Sequence, residues 1–134
     1  MIREEYVSFE TAKLLREKGF DELCIMKYNS EGRLVLAGAK IQEWQNSELD
    51  DDEYIACTQQ MAMRWLREVH RIHIQAFCPL VDVDCGTEGI KYNVVISNLA
   101  NMCLAFDTPL EDIEYDSYEE ACEAACLFVL NNLI

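Results

Sequence analysis

Two histidines three residues apart are the side chains in this sequence whose spacing first suggests chemistry. His70 and His73 lie in the segment TQQMAMRWLREVHRIHI, residues 58–74. Two imidazoles at this spacing on one helix can share a metal ion. The pattern predicts, however, that the helix ends between them and that His73 alternates with Ile72 and Ile74 along a strand. We interpret both histidines as structural, and a metal site remains the alternative.

The segment VDVDCGTEG, residues 81–89, places carboxylates around a glycine, as calcium-binding loops do. Asp82, Asp84 and Glu88 supply the acids, but an EF-hand loop also needs a third early ligand, a glycine at its sixth position and an acid at its twelfth. We interpret residues 79–89 as a polar connection between two strands. A metal-binding, ligand-binding or enzymatic function would depend on this loop and the two histidines.

The seven cysteines form no CxxC pair. Their odd number and the charged amino terminus MIREEY indicate free thiols in a reducing, cytoplasmic compartment. Cys122 and Cys126 repeat at the helical spacing of small side chains that allow close packing, and the surrounding acids are expected to raise their pKa. No nucleotide-binding, nucleophile-elbow or zinc-protease motif occurs. The sequence therefore predicts no catalytic residue and no cofactor.

Negative charge is the strongest compositional feature. The chain has 25 Asp and Glu against 11 Lys and Arg, a formal net charge of -14. No Lys or Arg follows Lys91, so the carboxyl-terminal third is purely acidic. Such a field repels phosphate backbones and anionic lipid headgroups, and the longest apolar run, residues 124–130, is too short to span a bilayer. We expect no direct binding of nucleic acid or membrane, whereas a basic protein partner fits the charge.

Two acidic runs are the candidate partner-binding surface. A solvated face that keeps the protein in solution is the simpler explanation, and a binding surface is the functional alternative. As a binding surface, the carboxylates would imitate phosphates and occupy the basic groove of a nucleic-acid-binding protein, with tyrosines adding contact area. Glu119 and Glu120 continue the second run. The predicted contact residues are Asp50, Asp51, Asp52, Glu53, Glu111, Asp112, Glu114, Tyr115, Asp116 and Tyr118.

Helices and hairpins alternate among the elements that must hold these residues. Ser8, Thr58 and Ser117 each precede a helical pattern as N-cap residues, and the last helix starts with a capping box. Apolar strand patterns separated by turn residues predict hairpins over 24–39 and 72–97 and a further strand over 102–106. The polar and acidic residues of 40–57 predict a surface loop. The inward positions are predicted to include Phe9, Ala12, Leu15, Ala62, Trp65, Leu66 and Val69.

We predict a single α+β domain over residues 1–134, with an antiparallel sheet built from two hairpins and three helices packed on it. The order is α-β-β-α-β-β-(β)-α. The last helix, SYEEACEAACLFVLNNLI, becomes apolar on all sides, so that its end must be covered by the sheet and by another helix or another subunit. We therefore also predict a homodimer through this helix.

Two segments resemble recurring blocks of a family of small acidic proteins from gut anaerobes and their phages or mobile elements. The segments are TQQMAMRWLREVHRIHI, residues 58–74, with the block TQ-x5-WLRE-x-H-x-I-x-I, and SYEEACEAACLFVLNNLI, residues 117–134, which starts with the block SYEEA-x-E-A; together the two segments cover about a quarter of the chain. The family has no established activity, cofactor or catalytic residue. The resemblance implies a cytosolic accessory protein of mobile-element origin, and we predict a non-enzymatic protein that acts through protein–protein contacts.

Overall fold

The computed structural model describes residues 3–79, 90–101 and 104–134. Three α-helices and six short strands alternate along these ranges, with two 3-10 turns at Asn46–Glu48 and Pro109–Asp112. The helices are α1 (Phe9–Glu17), α2 (Gln59–His70) and α3 (Tyr118–Asn132). The strands are β1 (Met26–Tyr28), β2 (Leu34–Leu36), β3 (Tyr54–Ile55), β4 (Ile72–Phe77), β5 (Asn93–Asn98) and β6 (Leu104–Ala105). The predicted α+β class is confirmed.

Each helix begins at the hydroxyl residue that the sequence predicts. The Ser8 hydroxyl accepts a hydrogen bond from the Thr11 N–H at 3.2 Å, and Thr58 and Ser117 cap α2 and α3 in the same way. These bonds satisfy backbone donors that have no partner inside the helix. Helix α2 ends at His70, and the next residue, Arg71, caps it with a φ of 59°, in the left-handed region. The predicted break between His70 and His73 is confirmed.

Both predicted hairpins form, but they lie in two separate three-stranded antiparallel sheets rather than in one sheet. One sheet has the order β2-β1-β3 and the other β4-β5-β6. The loop prediction for residues 40–57 was wrong in part, because Tyr54 and Ile55 pair with β1 and Cys57 is buried. A strand of two residues is too short for its alternation to be recognised in a sequence. Asn46 and Ala56 are buried as well, and Trp44 packs against the core and pairs with Cys24. Residues 40–43, 47–48 and 50–52 are exposed as predicted.

Helix α3 lies at the centre of the core and packs against α1, α2, β4 and β5. Trp65 is buried, as predicted, and its ring packs edge-on against Phe20. The predicted burial of Val69 was wrong, because its side chain is 56% exposed. Helix α2 packs on α3 and β4, and its buried residues are at positions 59, 62, 63, 65 and 66.

Phe9 was also predicted to point inward and is 40% exposed. Its ring nevertheless makes edge contacts with Tyr28 and Tyr54, at centroid distances of 5.6 Å and 5.5 Å. The ring therefore covers the outer margin of the first sheet rather than entering the core.

The apolar end of α3 is covered within the chain. Val129 and Leu130 are buried, and Phe128, Leu133 and Ile134 pack against the core as partly buried side chains. The apolar end of α3 is thus covered by helices and strands of its own chain. The predicted homodimer is therefore not needed to bury it and stays a prediction. None of the helices in the described ranges combines the length and apolar character that crossing a bilayer requires.

Candidate functional site: an acidic cleft at three helix ends

The two histidines lie in different elements and make different contacts. His70 is the last residue of α2, and its ring packs edge-on against Trp65 at 4.8 Å. His73 projects from β4 on the side opposite Ile72 and Ile74. His70 Nε2 and His73 Nδ1 are buried and have no hydrogen-bond partner. Among the described residues, no group of three or more potential ligands could hold a metal ion, and the predicted loop residues Asp82, Asp84 and Glu88 lie outside them.

The acidic loop 50–53 is held by cations from two other elements. The Arg16 guanidinium donates to the main-chain carbonyl of Asp50 at 2.6 Å and to that of Glu53. The Glu53 carboxylate forms an ion pair with Lys27 on β1, and both side chains are mostly buried. The side chains of Asp50, Asp51 and Asp52 point into solvent, with Asp51 at the 4.0 Å limit of an ion pair with Arg16.

The second predicted run, residues 111–118, is attached to the other sheet. Tyr115 and Tyr92 form two reciprocal backbone hydrogen bonds of 2.9 Å, and Asp116 forms an ion pair with Lys91. The Tyr118 ring packs edge-on against Tyr92, while its hydroxyl accepts a hydrogen bond from Gln60 Nε2. Both tyrosines are therefore half-buried packing residues. Within the described chain no hydrogen bond or ion pair joins this run to the loop 50–53.

A cleft of about 500 Å³ opens where the N-termini of all three helices meet. Ser8 of α1, Gln59 of α2 and Ser117 of α3 bring the three helix ends to its wall. Four carboxylates line the same wall, and we call this site the acidic cleft. Its residues are Glu5, Tyr6, Ser8, Tyr28, Gln59, Ser117, Glu119, Glu120 and Glu123.

Glu123 is the fixed carboxylate of the acidic cleft. Its Oε1 accepts hydrogen bonds from the Thr11 hydroxyl at 2.5 Å and from the Ser8 N–H at 3.2 Å. Gln59, which is 4% exposed, donates from Nε2 to the Glu119 carbonyl at 3.0 Å and approaches Glu123 Oε2 at 3.4 Å. These bonds tie the starts of the three helices together. Glu123 therefore links the three helices and also carries one of the four negative charges of the cleft.

The other carboxylates of the acidic cleft have no cationic partner in the described residues. None of Glu5, Glu119, Glu120 and Glu123 lies within ion-pair distance of a described Lys or Arg. Each helix N-terminus carries about half a positive charge, so that three of them offset about 1.5 of the four negative charges. The residual charge of about -2.5 favours a cation in this cleft.

The pKa of the Tyr28 phenol is affected by the negative charge of the cleft. The Tyr28 hydroxyl donates to the Val7 carbonyl at 2.6 Å and lies on the wall of the acidic cleft. Burial raises the pKa of the Tyr28 phenol, and the carboxylates of Glu123 and Glu5 raise it further. A second negative charge is therefore disfavoured at this wall, whereas an ammonium or guanidinium group would be stabilised.

The nucleophilic side chains near the cleft are engaged or buried. The hydroxyls of Ser8 and Ser117 accept the N-cap hydrogen bonds of their helices. Burial is the main cause that raises the pKa of the Cys122 thiol; a hydrogen bond with Tyr118 opposes it, and the charges of Glu119 and Glu123 add to it. Burial, the charge of Glu123 and the neighbouring thiols raise the pKa of Cys126 well above its ordinary value. The expectation that nearby acids suppress these thiols is confirmed. The chemistry available to the cleft is that of cation binding.

The comparison of the chain with protein-family models, curated proteins and solved structures gave no match. The function is therefore inferred from the residues themselves. Sequence reasoning recognised Glu119 and Glu120 but missed Glu5, Gln59 and Glu123 as parts of one site. The available signal was the three N-cap residues, which mark helix ends but do not reveal that these ends meet.

Proposed function

We propose that this chain is a non-enzymatic binding protein whose acidic cleft captures a basic segment of a partner protein in the cytoplasm. The observation that carries the proposal is the set of four carboxylates without a cationic partner at three converging helix ends. Lys ammonium and Arg guanidinium groups are the protein cations that match this wall. Their hydrogen bonds to carboxylates are about twice as strong as those between neutral groups.

The acidic run 111–118 extends this surface towards the cleft. Tyr118 and Glu119 line a smaller adjoining recess of about 150 Å³, together with Glu4, Glu5 and one cation, Arg3. Exposed ion pairs are individually worth only about 0–1 kcal/mol, so affinity would come from several contacts acting together. A phage or mobile-element factor with this surface would occupy the basic groove of a nucleic-acid-binding protein in place of the phosphates. Direct binding of nucleic acid is not part of the proposal.

The test is the capture of an arginine- and lysine-rich peptide by the intact protein, measured by fluorescence anisotropy. We expect affinity to fall steeply when salt rises from about 50 mM to about 500 mM, because ions screen exposed charges. The double variant Glu119→Gln with Glu120→Gln should bind about fivefold more weakly. The control Glu17→Gln with Glu48→Gln removes the same charge from exposed positions elsewhere. Equal losses in both double variants would show that net charge alone attracts the peptide and would reject the cleft as the site.

The second candidate function is a metal- or ligand-binding domain that uses His70, His73 and the loop 79–89. Its support is the pair of buried ring nitrogens without hydrogen-bond partners. Metal analysis of the untagged protein tests this candidate: about one transition metal per chain, lost in His70→Gln and in His73→Gln, would favour it. Metal-free protein that does not take up added zinc would exclude it.

The homodimer through α3 also remains a prediction. A net charge of -14 on each chain opposes self-association, and the apolar end of the helix already packs within its own chain. Light scattering at high protein concentration distinguishes the dimer mass from the monomer mass.

A further inference from the structure

A second surface of the molecule, an apolar groove beside α2, is not used by the acidic cleft. It has a volume of about 320 Å³ and lies between α2 and the segment that precedes β1. Its apolar lining is formed by Leu23, Met61, Trp65 and Val69. Leu23 is 48% exposed, Met61 38% and Val69 56%. Large apolar side chains of this kind would stabilise the protein if they were buried. We call this surface the α2 groove.

The apolar residues of the α2 groove follow one ridge of the helix. Met61, Trp65 and Val69 are four residues apart, so that they line up along about 12 Å of α2. An apolar stripe of this length accepts about two turns of a second helix, with side chains anchored at i, i+4 and i+7. Scattered apolar residues on a surface need no explanation, but a contiguous row that lines a groove indicates a contact surface.

The α2 groove continues towards the acidic cleft. A further recess of about 270 Å³ shares Leu23 and Met61 with the groove and reaches Glu4 and Tyr6. Tyr6 is also a residue of the acidic cleft. The apolar groove and the negatively charged cleft therefore adjoin through the extended segment that precedes α1.

The margin of the groove and its recess is acidic. Glu4, Glu22, Glu43 and Glu68 line them, and the cation in the described lining, Arg64, is paired with Glu68 at 3.0 Å. A second copy of this chain is a poor occupant, because it would bring a further net charge of -14 to this margin. The matching occupant has an apolar face flanked by Lys or Arg.

We propose that the α2 groove binds a basic amphipathic helix of the partner protein, whose apolar face covers Leu23, Met61 and Val69. The inference rests on the proposed function, since the same partner would place its basic side chains along the acidic margin and into the acidic cleft. Contact with the α2 groove would add a hydrophobic contribution to the free energy of binding, and salt does not screen this contribution. The partner is thereby recognised by its pattern of apolar and basic residues as well as by its charge.

The experiment compares two synthetic peptides of about 16 residues with the same leucine and lysine composition. One places its leucines on a single helical face, and the other scatters them around the helix. We expect the amphipathic peptide to bind the wild-type protein about tenfold more tightly and to keep part of its affinity at high salt. The double variant Leu23→Ser with Val69→Ser should abolish this advantage, whereas Ile41→Ser, at a position 81% exposed and outside the groove, should retain it.

The outcomes separate the two proposals. Salt-sensitive binding of both peptides with equal affinity would overturn the α2 groove and leave the acidic cleft intact. An advantage of the amphipathic peptide that survives in the double variant would also overturn the groove. Binding of neither peptide would reject the proposed function together with this inference. Circular dichroism and thermal unfolding establish that each variant is folded, which the exposure of both substituted side chains leads us to expect.

Discussion

The loop 50–53 and the acidic cleft each carry four carboxylates, but the two regions hold them in different ways. In the loop, Arg16 binds main-chain carbonyls and Lys27 pairs with Glu53, so that cations from α1 and β1 fix the backbone. In the cleft, no described cation is paired with the carboxylates. They lie at the positive ends of three helices, and hydroxyl, amide and main-chain N–H groups hold Glu123.

This difference separates acids that serve the fold from acids that remain available to a partner. In the loop, Arg16 and Lys27 offset two of the four negative charges, and both cations are fixed there by the loop carbonyls and by Glu53. In the cleft, the helix dipoles offset only part of the charge and no described cation is paired with the carboxylates, so that a cation is favoured there. Acidic residues with the same density in the sequence therefore have different physical roles, and the roles can be tested separately.

The largest effect is expected from the anchor of the loop. Arg16→Met keeps the aliphatic stem but leaves the carbonyls of Asp50 and Glu53 without their charged donor, and it removes the contact of the guanidinium with the Tyr54 ring at 5.8 Å. We expect the free energy of unfolding to fall by about 3 kcal/mol. Urea denaturation measures the loss.

The matched control for Arg16 is Arg64→Met. Arg64 forms an exposed i, i+4 ion pair with Glu68, and such pairs contribute about 0.3–0.5 kcal/mol. Equal losses in the two variants would mean that the carbonyl contacts of Arg16 do not stabilise the loop, and the contrast between the two acidic regions would disappear.

A second effect is expected at the fixed carboxylate of the cleft. Glu123→Ala deprives the buried Thr11 hydroxyl and the Ser8 N–H of their acceptor, and we expect a loss of about 2 kcal/mol. Thr11→Val removes the other partner of the same bond. In a double-mutant cycle the two losses should couple by about 1 kcal/mol or more. Additive losses would contradict the bond, and Glu120→Gln serves as the exposed control from the same helix.

The local features of this fold were predictable because their signals lie within a few residues of each other. Ser8, Thr58 and Ser117 cap helices through bonds to the third residue along the chain, so that each helix start is readable from a short window. The alternation along β4 and β5 likewise indicated a hairpin. The two-residue β3 carried no such pattern.

The acidic cleft could not be predicted because it depends on contacts between distant segments. Ser8 and Glu123, which are 115 positions apart, meet only after α1 has packed on α3. One position of the α2 stripe was misjudged for a related reason. Ala62, Trp65 and Leu66 are buried as predicted, but the packing of the helix on α3 and β4 buries Gln59 and Met63 and leaves Val69 exposed. A periodic pattern limits the possible faces, and tertiary packing selects one.

A third prediction concerns the field that acids impose on the core thiols. Burial, with additional contributions from Glu22 and Glu43, raises the pKa of Cys24 from 9.0 to about 11. A thiol whose pKa is higher in the folded state stabilises the fold below pH 9, and this stability is lost as the pH rises from 9 through about 11. For Cys24 the expected loss between pH 8 and pH 10 is about 1 kcal/mol. Denaturation curves across this range should show a shallower decline in Cys24→Ala.

The control for this prediction is Cys78→Ser, because Cys78 is exposed. Its decline with pH should match that of the wild type. A Cys24→Ala protein that loses stability with pH as steeply as the wild type would show that another group titrates on unfolding. The acids that add to the effect of burial at Cys24 are Glu22 and Glu43, which line the α2 groove and its recess.

The smallest expected effect belongs to the loop side chains themselves. Asp51→Asn with Asp52→Asn removes two charges that point into solvent, while the carbonyls that Arg16 binds stay in place. We expect the free energy of unfolding to change by less than about 0.5 kcal/mol. Capture of the basic peptide should weaken less than about twofold, because exposed charges outside a binding site act only through the screened long-range field. The loop variant is measured beside the cleft double variant. A fivefold or greater loss of peptide affinity in the loop variant would show that these two aspartates belong to the binding surface, as the sequence predicted. The loop 50–53 and the acidic cleft would then differ only in how their variants change the free energy of unfolding.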